Sequence, residues 1–233
     1  MTDVVVLAHG SPDPRHARDI DHLVCRVAAL APHLRPRVAS LDHHRPTIGD
    51  AAAALKGGAG PIVVVPALVT RAYHARVDVP TAAGELATRS GRRVITTDSL
   101  GPHPLLAVGV GELVAGHAGD VIIFLGGSTQ PGAIEEVVDV LSAYLPAIRR
   151  YAFATLDGRL PLQEAIDDLA GPADVTAVGA VLADGVLRDR MARQCAAYGI
   201  ELVPGVLART EAIARLVLAR VDAQEQRKSP SGG

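Results

Sequence analysis

Tryptophan is absent from this chain of 233 residues, and aromatic residues together make up only 3% of it. A fold without large rings builds its core from Val, Leu, Ile and Ala. It also offers few platforms on which bases could stack, which argues against single-strand nucleic-acid binding. Charge of one sign is lacking as well: 23 Lys and Arg against 25 Asp and Glu leave a net charge of −2. No basic field invites nucleic acid, and the nearest cluster, Arg89, Arg92 and Arg93, reads as solvated surface. Only two cysteines occur, Cys25 and Cys195, each inside an apparent helix, and no C-x-x-C pair exists. A thiolate zinc site is therefore unsupported, and the expectation is two buried thiols in a reducing compartment. No apolar run approaches the ~18–20 residues that span a bilayer. The first residues enter a strand-like run with no segment of signal-peptide form. The expected protein is cytoplasmic, with neither nucleic acid nor membrane as partner.

What is present is alternation. Short β-branched runs (Val4–Ala8, Arg37–Leu41, Ile62–Leu68, Val94–Asp98) are separated by Ala-rich helical stretches over about 14–31, 47–55, 75–90 and 103–115. Continuous apolar runs such as IVVVPALV suit strands covered on both faces, and strand–helix alternation gives βαβ units in a doubly wound sheet. At Asp120 the pattern restarts. Strands are predicted at Val121–Leu125, Tyr151–Thr155, Val175–Leu182 and Glu201–Pro204, with helices at 133–145, 162–170, 187–198 and 209–223.

The two halves also match residue by residue. A shift of 117 places Asp3 on Asp120, Ser11 on Ser128 and Pro14 on Pro131. A shift of 115 places Leu41-Asp42 on Leu156-Asp157, and one of 113 places Val63–Leu68 on Thr176–Val181. The drift is what small loop deletions produce. The fold class is thus α/β, an internal duplication of two three-layer αβα domains, each with a four-stranded parallel, flavodoxin-like sheet. The expected units are residues 1–117, 118–223 and a tail at 224–233.

The duplication is chemically one-sided, because all nine histidines lie at or before position 117. Both VVVLAHGSPDP and VIIFLGGSTQP carry a strand, a small-residue turn, a serine and a proline, but Gly126 stands where the first copy has His9. Likewise Leu187 stands opposite His74. In a sheet of order 2-1-3-4, the loops after strands one and three flank the switch-point crevice where ligands bind. His9 and His74 would meet there, and two imidazoles suit a first-row divalent metal. Asp42 reads as a turn residue, since Asp157 survives in the half without histidines. His103 could face the same cleft or cap a helix. His43 and His44 sit in a polar loop and point different ways, and His16, His22, His33 and His117 read as surface or helix residues. A helix start at 11–15 could hold an anion, but no phosphate-loop signature or nucleophile elbow occurs.

The motifs AHGSPDPR, VVVPALVTRAYHARVDVP and SLGPHPLL, in that order, resemble the class II tetrapyrrole chelatases, and within them the sirohydrochlorin chelatases. The resemblance covers about residues 1–222. It implies the class II chelatase fold, with two α/β domains facing each other across a cleft that holds the macrocycle. By position it implies that His9 and His74 form the metal-binding, catalytic pair. The family often has G-G-H and a following Lys where this chain has Ala72-Tyr73-His74 and Arg76. The reaction implied is insertion of Fe2+ or Co2+ into sirohydrochlorin, for sirohaem or cobalamin, with a lean to Fe2+. The metal is a substrate, and no permanently bound cofactor is expected. A neutral imidazole can pass on a metal or accept a pyrrole proton. Sirohydrochlorin is rich in carboxylates, so Arg15, Arg71 and Arg76 are candidate clamps or ordinary surface arginines, and Ser11 and His103 complete the candidate substrate contacts. The alternatives are a chelatase for another porphyrinoid, or a metal or tetrapyrrole carrier without turnover. One chain could supply both walls as a monomer, and a homodimer is equally open.

Overall fold

The computed structural model describes residues 1–70, 77–147, 149–169 and 174–226. The first half runs β1 (Thr2–Ala8), α1 (Pro14–Leu30), β2 (Leu34–Ser40), α2 (Ile48–Leu55), β3 (Ile62–Pro66), α3 (Asp78–Ser90), β4 (Val94–Thr96) and α4 (Pro104–Leu113). The second runs β5 (Asp120–Leu125), α5 (Ala133–Tyr144), β6 (Tyr151–Thr155), α6 (Leu162–Asp168), β7 (Val175–Gly179), α7 (Val186–Ala196) and β8 (Glu201–Leu202). A 3-10 turn (Leu207–Arg209) then leads into α8 (Glu211–Gln226). Both sheets are parallel, and their orders, β2-β1-β3-β4 and β6-β5-β7-β8, are the expected switch-point topology repeated.

Strand pleating sorts the core into layers. Val4, Val6 and Ala8 of β1 face inward, as do Val121, Ile123 and Leu125 of β5, and all belong to one continuous apolar cluster. That cluster includes Ile20, Leu23 and Val27 of α1, Leu106 and Val110 of α4, Ile134 and Val137 of α5, and Val217 and Val221 of α8. The alternate residues face out. Val5 and Leu7 pack on α2 and α3, and Ile122 and Phe124 pack on α6 and α7. The molecule is therefore a stack: outer helices, sheet, a shared middle layer of α1, α4, α5 and α8, the second sheet, and its outer helices.

The sheets fall on either side of the expected division at 117/118, and the helices of the shared layer pack across it. α8 packs on α1, α4 and β3 of the first half, and α4 packs on α5 of the second. Glu112 of α4 secures the junction by accepting from the Glu211 and Ala212 amides at the start of α8, at 2.8 and 2.9 Å. α8 continues through Gln226, and residues 227–233 of the expected tail lie outside the described residues.

Two expectations change. Arg92 is not a solvated charge but 8% exposed. It donates to the Leu55, Ala59 and Gly60 carbonyls and pairs with buried Asp3 at 2.8 Å, while Arg35 pairs with the same carboxylate at 2.9 Å. The copy of the Asp3–Arg35 contact, Asp120 with Arg150, is solvated, with the arginine 60% exposed. The cysteines also differ from expectation. Cys195 is buried but Cys25 is exposed, because the buried stripe of α1 runs through Ile20, Leu23 and Val27 and bypasses it.

Candidate functional site: a cleft with histidines on one wall

The turn after β1 is built for close approach. Gly10 has φ +93°, and a Cβ there would overlap the Asp42 carbonyl, so only glycine lets the loop after β2 lie against it. The Leu41 and Asp42 amides bond back to the Ala8 and His9 carbonyls at 2.9 and 3.0 Å. Its copy, Gly127, has φ +92°, and a Cβ there would sit 2.7 Å from the Asp157 carboxylate. Each turn is then locked by its serine. Ser11 Oγ accepts from the Asp13 amide at 3.2 Å, and Ser128 Oγ accepts from the Gln130 amide at 3.1 Å. The repeated turn is thus a scaffold, and the residue beside it is free to differ.

His9, half-buried at the end of β1, faces two chambers. The larger, a cleft of about 660 Å³, runs between the halves. Its first wall is His9, Gly10, Ser11, Pro12, His16 and His43; its second comes from the Gly126–Thr129 turn, Asp157 and the segment Ala183–Leu187. The smaller, of about 370 Å³, adjoins Asp42, Asp78, Thr81 and Glu85. His9 Nδ1 lies 3.3 Å from the Gly10 carbonyl oxygen. In the tautomer with its proton on Nδ1, that contact orients the ring.

Three further histidines gather at this site: His16, read as a surface or helix residue, and the polar-loop pair His43 and His44. His16 lines the cleft, and its ring stacks on His44 with centroids 6.5 Å apart. His44 Nε2 lies 3.1 Å from the Asp13 carbonyl oxygen, while His43 points to the cleft, so the pair does diverge as expected. Burial, and then His44, push the His16 pKa below its ordinary value, which keeps its imidazole neutral at pH 7. The sequence held a signal for His16: with Ile20, Leu23 and Val27 it falls at i, i+4, i+7 and i+11 on the buried face of α1. His43 adopts φ 63°, an uncommon backbone state for a residue with a side chain.

The remaining candidates separate. Ser11 lines the cleft. Arg15 does not line it; its guanidinium makes a two-pronged contact with Asp189 of α7, at 3.0 and 2.6 Å, and also holds Asp13. Arg15 therefore bridges the two halves, and a substrate carboxylate would have to displace Asp189 to use it. That bond to Arg15 holds the Asp189 carboxyl below its usual range. His103 takes the capping role: its Nδ1 accepts from the Leu105 amide at 3.1 Å at the start of α4. Burial, and then Arg220, lower its pKa. The L-G-P motif before it has a steric basis, since a Cβ on Gly101 would overlap the Val69 carbonyl. His74, Arg71 and Arg76 lie outside the described residues. Among the described residues no group of three or more His, Cys, Asp or Glu is arranged to hold a metal, and no Arg or Lys lines the cleft. No described helix is long and apolar enough to cross a membrane.

The second wall bonds back to the first. Buried Asp19 of α1 accepts from the Asp184 amide at 2.8 Å and from Arg209 Nε at 2.7 Å. Asp157 accepts from the Ser128 and Arg159 amides, and a hydrogen bond from Thr155 is the main cause that lowers its pKa.

Residues 3–115 match the CbiX family model. No curated protein matches the chain in sequence. Among solved structures, SirB from Bacillus subtilis with Fe3+ has a TM-score of 0.73 at 20% identity, covering 98% of this chain and 97% of that one. The sirohydrochlorin chelatase SirB from Bacillus subtilis subspecies spizizenii, in complex with cobalt, has a TM-score of 0.74 at 19% identity over 100% and 98% of the two chains. CbiX, described as the terminal enzyme for siroheme biosynthesis in denitrifying bacteria, has a TM-score of 0.63 at 18% identity over 96% and 99%. At these identities the likeness to each structure is one of fold. The family match spans the first sheet and the His9 turn, residues 3–115, and the duplicated two-sheet frame is shared with these chelatase structures along the whole length.

Proposed function

We propose that this protein inserts a divalent metal, Fe2+ or Co2+, into sirohydrochlorin in the cytoplasm, with His9 and His74 as the metal-binding pair. The observation that carries the reading is His9 itself: an imidazole oriented by its own turn, on the wall of an interdomain cleft, inside a CbiX-type domain. The duplication supports its pairing with His74. Their counterparts, Gly126 and Leu187, are neighbours in the second half, where a Cβ on Gly126 would lie 3.8 Å from Leu187 Cδ1.

Insertion must release two pyrrole protons and pass on a metal that is bound only loosely. Two imidazole nitrogens leave most of the coordination sphere open to the macrocycle. An imidazole bound to the metal cannot also take a proton, and His16 and His43 on the same wall supply further acceptors. Ser11, Ser128 and Thr129 offer hydroxyls at the cleft rim. Arg71 and Arg76 remain proposed contacts for substrate carboxylates. One chain supplies both walls, so the proposed working unit is the monomer, which sedimentation during turnover would check.

The test is anaerobic, absorbance-monitored insertion of Fe2+ and Co2+ into sirohydrochlorin by wild type, His9→Ala and His74→Ala. Repeated turnover that falls to the spontaneous rate in both variants is the expected result, and the same traces rank the metals. A single stoichiometric turnover would point to a carrier, and variants as fast as wild type would refute the site.

A further inference from the structure

We infer that Val186 and Leu187 form an apolar shelf on which one face of the macrocycle lies, so the half that lacks histidines seats the ring. The inference rests on the chelatase reading above and adds positioning residues to it. Val186 and Leu187 are 50% and 48% exposed, consecutive, and at the start of α7. Both line the cleft whose opposite wall carries His9. A single exposed apolar side chain is ordinary. Two adjacent ones inside a concavity, facing a wall of imidazoles, mark a contact surface.

The surroundings keep the shelf low. Gly126, Gly127, Ala183 and Gly185 line the cleft around it and project little or nothing. The carboxylates of this wall are engaged. Asp157 accepts from the Ser128 and Arg159 amides, and the Asp184 carboxylate accepts from the Gly185 amide at 2.9 Å and lies 3.7 Å from Arg15. The wall's carboxylates would repel an anionic rim, so what it offers a tetrapyrrole is contact with the apolar face of the ring.

The duplication explains the division of labour. Gly126 and Leu187 stand where the first half has His9 and His74. Replacing an imidazole by nothing and another by an isobutyl group converts a ligand wall into a seat, while the conserved turn geometry at Gly10 and Gly127 keeps it at the same height. A ring held on that face presents its other face to His9, and no nitrogen ligand on the seat competes for the metal.

The experiment measures binding of metal-free sirohydrochlorin by absorbance, and steady-state insertion with Co2+, for wild type, Leu187→Ala, Leu187→Glu and Val186→Ala. Val108→Ala, a residue 49% exposed on α4 outside the cleft, is the control. Kd and KM for the macrocycle should rise about tenfold in Leu187→Ala and further in Leu187→Glu. KM for Co2+, and kcat at saturating macrocycle, should stay within about twofold of wild type, the signature of lost uniform binding. Leu187→Glu with unchanged macrocycle Kd and KM overturns the shelf, however fast the enzyme turns over. Wild type that binds the ring, loses it in Leu187→Glu, yet inserts no metal, supports the shelf and refutes the chelatase reading. Wild type that does not bind the ring overturns both.

Discussion

Deleting Arg209 should cost more stability than deleting Asp19, although Asp19 is the buried partner of the pair. The Asp19 side chain is 3% exposed and that of Arg209 is 53% exposed. Asp19 accepts from Arg209 Nε at 2.7 Å and from the Asp184 amide at 2.8 Å, which ties α1 to the second cleft wall. In Arg209→Ala the carboxylate stays buried with one amide for company. An uncompensated buried charge costs roughly 3–5 kcal/mol, and the surviving amide sets the expectation at the low end, about 3 kcal/mol. In Asp19→Ala the half-exposed guanidinium returns to water. The loss is then one stranded amide and the bonds to it, about 1.5–2 kcal/mol. The double variant should be more stable than Arg209→Ala alone, because it removes the orphaned charge. Urea unfolding followed by far-UV circular dichroism suits a protein without tryptophan. The reasoning fails if Asp19→Ala is the more damaging single change, or if the two effects simply add.

Three further outcomes follow from the same geometry. Asp3→Ala strands the 8% exposed Arg92 and should cost about 3 kcal/mol, whereas Asp120→Ala frees a solvated Arg150 and should cost under about 1 kcal/mol; thermal unfolding separates them. The bond to Arg15 depresses the Asp13 pKa to about 2 and also lowers that of Asp189, so their contribution is complete above the unfolded value of ~3.9 and is lost as pH falls toward 2. The thermal midpoint of wild type should therefore drop over that window more steeply than that of Arg15→Ala. Cys25 is exposed, while burial pushes the Cys195 thiol up to about 11, so a disulfide reagent at pH 8 should titrate one thiol quickly and the second only after unfolding.

Much of the frame was legible because it depends on local periodicity. β-branched runs and Ala-rich intervals located the strands and helices, and the repeat placed His9 and its turn before any contact was known. What failed depended on partners remote in sequence. Arg92 reads as surface until Asp3 and three carbonyls are brought around it. Arg15 reads as a clamp or an ordinary surface arginine until Asp189, 174 residues away, closes on it. Glycine patterns were read as turns, but only the packed loops explain them: at Gly10 the neighbouring backbone leaves no room for a Cβ.

By itself, then, the sequence determined two parallel sheets of one topology, their origin in duplication, and the confinement of every histidine to the first half, because side-chain period and residue identity are properties of the chain. The tertiary structure alone decided that α8 returns to the first half and that the middle helices form one core. It also gathered His16, His43 and His44 beside His9, and turned Leu187 from a missing histidine into a wall of the cleft. Those outcomes arise from burying apolar surface and pairing charges between segments far apart in sequence, which no local pattern can encode.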